Sequence, residues 1–174
     1  MTGWEKGNDP GRFGPEHIES QRLMLSELNV DQMEAIVDGD AAAAAPPSHE
    51  YPPAGSLVGL RIRLEKAALG RVTGPWFQIV RRVDGVAIGD LNFHDPPNEV
   101  GEVVAGMELV PSAQGCGLGT EALATACAWA LAQPGVWSVL GDIRESNLAS
   151  RRMAQKVGMR LVDVVGGECH YRIP

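Results

Sequence analysis

The sequence predicts an α+β domain built on a mostly antiparallel, twisted central sheet of about seven strands, flanked by about four helices. Three observations carry that expectation. Strand-like runs pair across glycine-bearing turns at Asp84-Gly85 and Gly166-Gly167, as antiparallel hairpins do. Apolar residues recur at helical spacing in stretches that alternate with those runs. A glycine-rich turn, Gln114 to Gly119, joins a strand to a helix that leads into another strand, giving a single β-α-β crossover where a doubly wound sheet needs several.

Taken in order, residues 1–17 are polar and rich in glycine and proline, which predicts a flexible tail; a single domain then runs over 18–174. Glu19 to Leu25 reads as a short first strand. Val30 to Asp38 places Val30, Met33, Ile36 and Val37 on one helical face, with Asn29 available as its cap. The alanines and prolines from Asp40 to Gly55 stop that helix and forbid a central strand, so they predict a loop with little structure of its own. Ser56 to Leu69 resumes helical spacing through Leu57, Leu60, Leu64 and Ala68. Trp76–Arg82, Val86–Phe93 and Glu99–Val110 read as strands, with Gly106 a candidate bulge or close approach. Leu118 to Leu131 carries one apolar stripe (Leu118, Ala122, Leu123, Ala126, Ala130, Leu131). Val136–Ile143 follows as a strand. Asn147–Val157 is a helix stopped by Gly158, and Met159–Val165 with Glu168–Ile173 close the chain as strands. Trp76, Trp129 and Trp137 are expected in the core or an interface.

Composition narrows the function classes. A chain of 174 residues with 44% apolar and 21% charged residues can fold around a core. Its formal charge of −7 and lack of a basic stripe argue against nucleic-acid binding. Cys116, Cys127 and Cys169 are odd in number and widely spaced, predicting neither a disulfide framework nor a metal site. The first residues lack a signal peptide's apolar segment, and no apolar run approaches the roughly 20 residues needed to span a bilayer. A cytoplasmic protein with no membrane partner is expected.

The glycine-rich turn is the chemical signal. The first N–H groups of a helix have no intrahelical partner, the positive end of the helix dipole lies behind them, and glycines let an anion approach the backbone. A nucleoside-triphosphate loop would need a lysine after the glycines, and none follows. A dinucleotide fingerprint would need a third glycine where Thr120 stands. Gln114-x-x-Gly117-x-Gly119 instead resembles the Q/R-x-x-G-x-G/A pyrophosphate loop of the GNAT superfamily. Gly119-Thr120-Glu121-Ala122-Leu123 resembles the helix opening of that superfamily, and Glu108-Leu109-Val110-Pro111 the end of its fourth strand. Asn147-Leu148-Ala149-Ser150 with Lys156-Val157-Gly158-Met159, and Gln21-Arg22-Leu23-Met24-Leu25, resemble the RimJ/RimL-like branch. The resemblance spans roughly Ser20 to Pro174.

The resemblance implies an N-acetyltransferase that takes acetyl-CoA as cosubstrate, needs no metal, and passes the acetyl group to a primary amine by direct attack on the thioester. The acceptor would be a protein N-terminus or a small-molecule amine. It further implies that backbone groups near Met107, Leu109 and Val110 hold the pantetheine arm like an added strand. Backbone N–H groups of Gln114, Gly115, Cys116, Gly117, Leu118, Gly119 and Thr120 would hold the pyrophosphate, and a bulge near Gly106 would splay the strands. A backbone N–H near Leu109 would meet the oxyanion. Glu108 is the implied base, with Glu102 and Glu99 in reserve; a plain surface or ion-paired glutamate is the alternative. Ser150 is the implied partner of the coenzyme sulfur and Asn147 of a pantetheine amide, although Asn147 also suits a helix cap. Many relatives carry a tyrosine acid in the helix 148–157; this chain has none there, so a non-catalytic acyl-CoA-binding or sensing module is the competing reading. His94 could line an acceptor pocket. A homodimer is compatible with the sequence.

Overall fold

The computed structural model describes residues 17–174, so all of the expected tail but His17 lies outside the described residues. One sheet of eight strands forms the centre. In chain order the elements are β1 (His17–Glu19), β2 (Leu23–Glu27), α1 (Val30–Val37), α2 (Ala54–Ala68), β3 (Trp76–Arg81), β4 (Val86–Phe93) and β5 (Glu102–Leu109). α3 (Leu118–Leu131), β6 (Ser138–Arg144), α4 (Leu148–Val157), β7 (Arg160–Val165) and β8 (Glu168–Ile173) follow. The strands lie in the order β1-β2-β3-β4-β5-β6-β8-β7. Every neighbouring pair is antiparallel except β5 and β6, which the α3 crossover makes parallel.

Two sequence expectations change in detail. The single first strand is a hairpin, β1 and β2, because the Ser20 N–H reaches the Leu23 carbonyl at 2.9 Å and folds the chain back. Gly106 carries no bulge: β4 and β5 keep one unbroken register from Gly89↔Leu109 to Phe93↔Ala105. Register shifts sit instead between Ile79 and Val80 of β3 and between Leu161 and Asp163 of β7. What Gly106 provides is the close approach, since a Cβ there would lie 2.7 Å from Asn92 Oδ1 and 3.0 Å from His94 Nε2.

Two hydrophobic clusters form the core. Phe77, Leu91 and Leu109 belong to the larger one, which takes in the buried stripe of α3; Trp129 meets Phe77 edge-on at 5.2 Å. Removing that apolar surface from water is the main stabilising term. The smaller one, at α1 and α2, holds Leu28, Met33, Ile36, Leu60 and Trp76. α1 starts as expected at Asn29, whose side chain accepts from Gln32 N–H while Gln32 returns the bond. The 40–53 connection has no helix or strand, yet it is anchored: Ala87 N–H donates to Pro46 and Ser48 N–H to Ala87. That anchoring carries Tyr51 into the interior. Trp137 is not in the core; it is 72% exposed, over Gly101.

Candidate active site

The site begins where two strands part. β5 and β6 pair only from Glu102↔Ser138 to Val104↔Leu140, although both continue for several residues. His94 N–H donates to Val104 C=O, and Val110 N–H donates to Ile88 C=O, so the even-numbered residues of this stretch direct their backbone toward β4. Backbone polarity alternates along an antiparallel strand, so Ala105, Met107 and Leu109 direct theirs into the gap. Val110 does not: its N–H is spent on Ile88 and its side chain is fully buried. A hollow of about 440 Å³ fills the divergence, bounded by Ala105 and Met107 on one side and Gly141 to Ile143 on the other.

The glycine-rich turn closes one end of the gap. Gly115 and Gly117 hold φ of +77° and +82°, a left-handed conformation that side-chain-bearing residues resist. The turn is braced from both sides. Gln114 Nε2 donates to Leu109 C=O at 2.9 Å, tying the turn to β5. Arg22 reaches over from the β1–β2 turn, donating from Nη1 to Cys116 C=O at 3.1 Å and from Nε to Glu121 Oε2 at 2.6 Å. Glu121 also accepts from Ser20 Oγ and Arg22 N–H, both at 2.7 Å. Gln114 N–H is spent on Pro111 C=O and Glu121 N–H on Gly117 C=O. Between them lies the opening turn of α3, whose N–H groups have no helical partner. Leu118 turns its side chain into the core, and Cys116 directs its thiol to Ala113 C=O at 3.3 Å, so both could serve a ligand only through their backbone.

A larger cleft of about 770 Å³ continues past the turn to α2. Its lining brings together most of the residues singled out in the sequence: Met107, Glu108, Leu109, Gln114, Gly115, Gly117, Gly119, Thr120, Asn147 and Ser150. Asn147 is the cap of α4, its Oδ1 accepting from Ser150 N–H at 3.1 Å, which leaves its amide nitrogen and the Ser150 hydroxyl toward the cleft. Glu108 is half-buried and faces α2, where its Oε2 accepts from Ser56 N–H at 2.9 Å. The N-cap of α2 is Pro53, which offers no side-chain bond, so the Glu108 carboxylate takes that place across the fold. Gly55 permits this approach, since a Cβ there would lie 2.4 Å from Glu108 Oε2. Glu102 is paired with Arg172 at 3.5 Å and, like Glu99, does not line the cleft. His94 does line it.

Sequence reading passed over Asp90, which is 2% exposed on β4 yet reaches the cleft. Burial, foremost, and the charge of Glu108 push its carboxyl up to about 6, against the pull of Ser56, Tyr51 and Trp76. A polar residue on an otherwise apolar central strand was the available signal. Arg152 and Lys156 of α4 put positive charge at the cleft's other end. Among the described residues no group of three or more His, Cys, Asp or Glu side chains is placed to hold a metal ion, and no helix is long and apolar enough to cross a membrane.

Comparison with known proteins places this geometry. The family model described as "Acetyltransferase (GNAT) domain" matches residues 22–160. No curated protein matches the chain. Among solved structures, the GNAT-family acetyltransferase from Bacillus anthracis superposes with a TM-score of 0.63 at 17% identity, over 91% of this chain and 98% of that one. RimL, a ribosomal alpha-N-protein acetyltransferase in complex with coenzyme A, gives 0.64 at 16% identity, over 91% and 97%. A ribosomal-protein-S5-alanine acetyltransferase from Vibrio fischeri gives 0.62 at 15%, over 91% and 96%. The parted strands, the glycine-rich helix start and the family match over most of the chain agree: this protein belongs to the GNAT family of acetyltransferases.

Proposed function

We propose that the chain is an acetyl-CoA-dependent N-acetyltransferase of the RimJ/RimL-like branch, acting in the cytoplasm and passing the acetyl group directly to a primary amine. The observation that carries this reading is the gap between β5 and β6, with free backbone groups on one wall and an uncapped helix start at its end. Both features suit the coenzyme. An extended amide-bearing arm can add to the exposed edge of Met107 and Leu109. A pyrophosphate can accept from N–H groups between Gly115 and Thr120, with Arg152 and Lys156 at the rim to offset its charge.

Bound acetyl-CoA would supply an activated acetyl thioester. The chain's own groups supply the rest. Leu109 N–H, directed into the gap, is the donor for negative charge developing on the acetyl oxygen. Ser150 and the Asn147 amide would hold the sulfur end and a pantetheine amide. Glu108, whose side chain lies on the α2 face of the same strand, is a first candidate for the base, and the acceptor enters from the α2 side. Likeness to enzymes named for ribosomal proteins supports a protein N-terminus as one acceptor class, beside small amines.

The test is thermal melting with acetyl-CoA, CoA and NAD in parallel, followed by turnover with an amine panel. A ligand at a hundred times its Kd adds about 2.7 kcal/mol, or roughly 5–11 °C at this chain length. Shifts with both CoA species but not NAD, and thiol release with an amine, are expected. No shift with either CoA species refutes the reading; a shift without turnover on any amine favours a sensing module.

A further inference from the structure

The α2 end of the cleft holds a polar cluster with an unmet bond. Gln78↔Asp90 and Asp90↔Glu108 are cross-strand partners on β3, β4 and β5, so their side chains share the sheet face turned to α2. Tyr51 OH donates to Asp90 Oδ1 at 2.9 Å. Asp90 Oδ2 and the buried indole N–H of Trp76 make no hydrogen bond of normal geometry, although the Ser56 and Trp76 donors lie close enough to draw the Asp90 carboxyl down against its burial. A buried carboxylate oxygen without a donor is costly, and two acidic side chains directly opposite one another add to that cost. The cleft's Lys and Arg both lie on α4, at the other end.

We propose that Asp90 and Glu108 together seat the acceptor's primary ammonium group, and that Asp90 Oδ2 receives its proton. The proposal rests on the acetyl-transfer reading above and deepens it by assigning the charge of the acceptor that binds and by moving the proton-accepting role from Glu108 to Asp90 on β4, with Glu108 kept as the second carboxylate of the seat. Glu108 is already held by Ser56 N–H as the cap of α2. Asp90 therefore offers an oxygen without a close hydrogen bond; it is screened from solvent in the free protein, so an ammonium arriving from the cleft reaches it by displacing the side chains that cover it.

The proton balance is simple. An N–H bond of the ammonium breaks with its electron pair left on nitrogen, and Asp90 Oδ2 takes the proton, releasing it later to solvent. The amine then forms the C–N bond as the C–S bond breaks, and its second proton leaves on the sulfur as thiol. The groups facing Asp90 are Tyr51 from the 40–53 connection, Ser56 from α2, Trp76 and Gln78 from β3, and Glu108 from β5. Burial, opposed by the donors among them, leaves the carboxyl at about 6, where it is ionised at neutral pH yet able to accept a proton.

The experiment measures kcat/KM from pH 5 to 10.5 at saturating acetyl-CoA, with 1,4-diaminobutane and with a tetrapeptide bearing a free alanine N-terminus. If the ammonium form binds, the profile for an accepted amine is a bell: a lower limb near 6 from Asp90 and an upper limb at the amine's own pKa, about 10 for the diamine and about 8 for the peptide. Transfer to either amine with this bell supports the proposal, and the arm that responds identifies the source of the ammonium. Asp90→Asn should cut kcat/KM at least about 100-fold at neutral pH and abolish the lower limb, with acetyl-CoA affinity unchanged. Tyr51→Phe removes a donor that favours the charged carboxylate, so it should move the lower limb to higher pH. A wild-type profile in Asp90→Asn overturns the proposal, as does transfer that rises to the amine's pKa with no fall above it. If Asp90→Asn does not fold, an unmoved limb in Tyr51→Phe overturns it alone. Acetyl-CoA binding without transfer to either amine also overturns it, leaving the coenzyme site standing. Absence of acetyl-CoA binding overturns both readings.

Discussion

Asp90→Asn also makes a prediction about stability that is independent of turnover. The native carboxyl titrates at about 6 against an unfolded value of 3.8, a rise caused first by burial and then by Glu108. A raised native pKa means that the folded state keeps its proton through that window while the unfolded state loses it. The contribution of Asp90 to stability is therefore full below about pH 4, falls as the pH rises toward 6, and stays lost above. A shift of about two units corresponds to about 3 kcal/mol. An asparagine keeps the shape and the acceptor for Tyr51 OH but carries no charge. The variant should therefore exceed wild type by up to about 3 kcal/mol at pH 8, or roughly 6–12 °C in Tm. The assay is a pair of melting series from pH 4 to 8 without ligand. The difference between the two proteins isolates Asp90 from the other carboxylates, and it should open across the 4–6 interval. A variant that melts at or below wild type throughout, with no pH-dependent difference, would refute the reasoning that Asp90 is a buried, unsatisfied charge. A gain in stability joined to a loss of transfer would mark a group kept for chemistry at the expense of the fold.

Other outcomes follow from the same geometry. Glu108→Gln retains an acceptor for Ser56 N–H, so its Tm should stay within a few degrees of wild type while acetyl transfer falls; a wild-type rate at every pH removes Glu108 from the mechanism. Gly117→Ala forces a side chain into a left-handed conformation with only Arg22 Nη2 nearby, at 3.5 Å, so roughly 1–2 kcal/mol of strain is expected, together with weaker acetyl-CoA binding by titration calorimetry. Glu121→Gln should weaken the brace that Ser20 and Arg22 make on the start of α3 and lower both Tm and CoA affinity. Although burial pushes the Glu121 carboxyl up, its bonds from Ser20 and Arg22 bring it below the usual value. Its stabilising contribution is therefore present above the ordinary carboxylate range and lost on acidification through its native pKa, which melting at pH 3–5 with and without the substitution would read.

The sequence by itself determined the elements and the loop. Period-two runs, helical stripes and glycine punctuation are local consequences of backbone geometry, so α1 with its Asn29 cap, the Asp84-Gly85 hairpin and the Gly158 stop were legible from residues alone. The glycine-rich turn was legible because its chemistry is carried by backbone N–H groups and by the absence of side chains. Tertiary structure decided what depends on partners distant in the chain. Gly106 was read as a bulge or a close approach because a lone glycine in a strand fits either; only the packing of Asn92 and His94 selects the second. From sequence Glu108 is a candidate base or a plain surface or ion-paired glutamate; that its carboxylate caps α2, which has no side-chain cap of its own, depends on packing across the fold. Trp137 had no local mark of exposure. Asp90 lies 39 residues from Tyr51 in the chain, and its burial exists only where β4, the 40–53 connection and α2 meet. A residue's pKa is set by what surrounds it in space, which spacing along a chain does not encode.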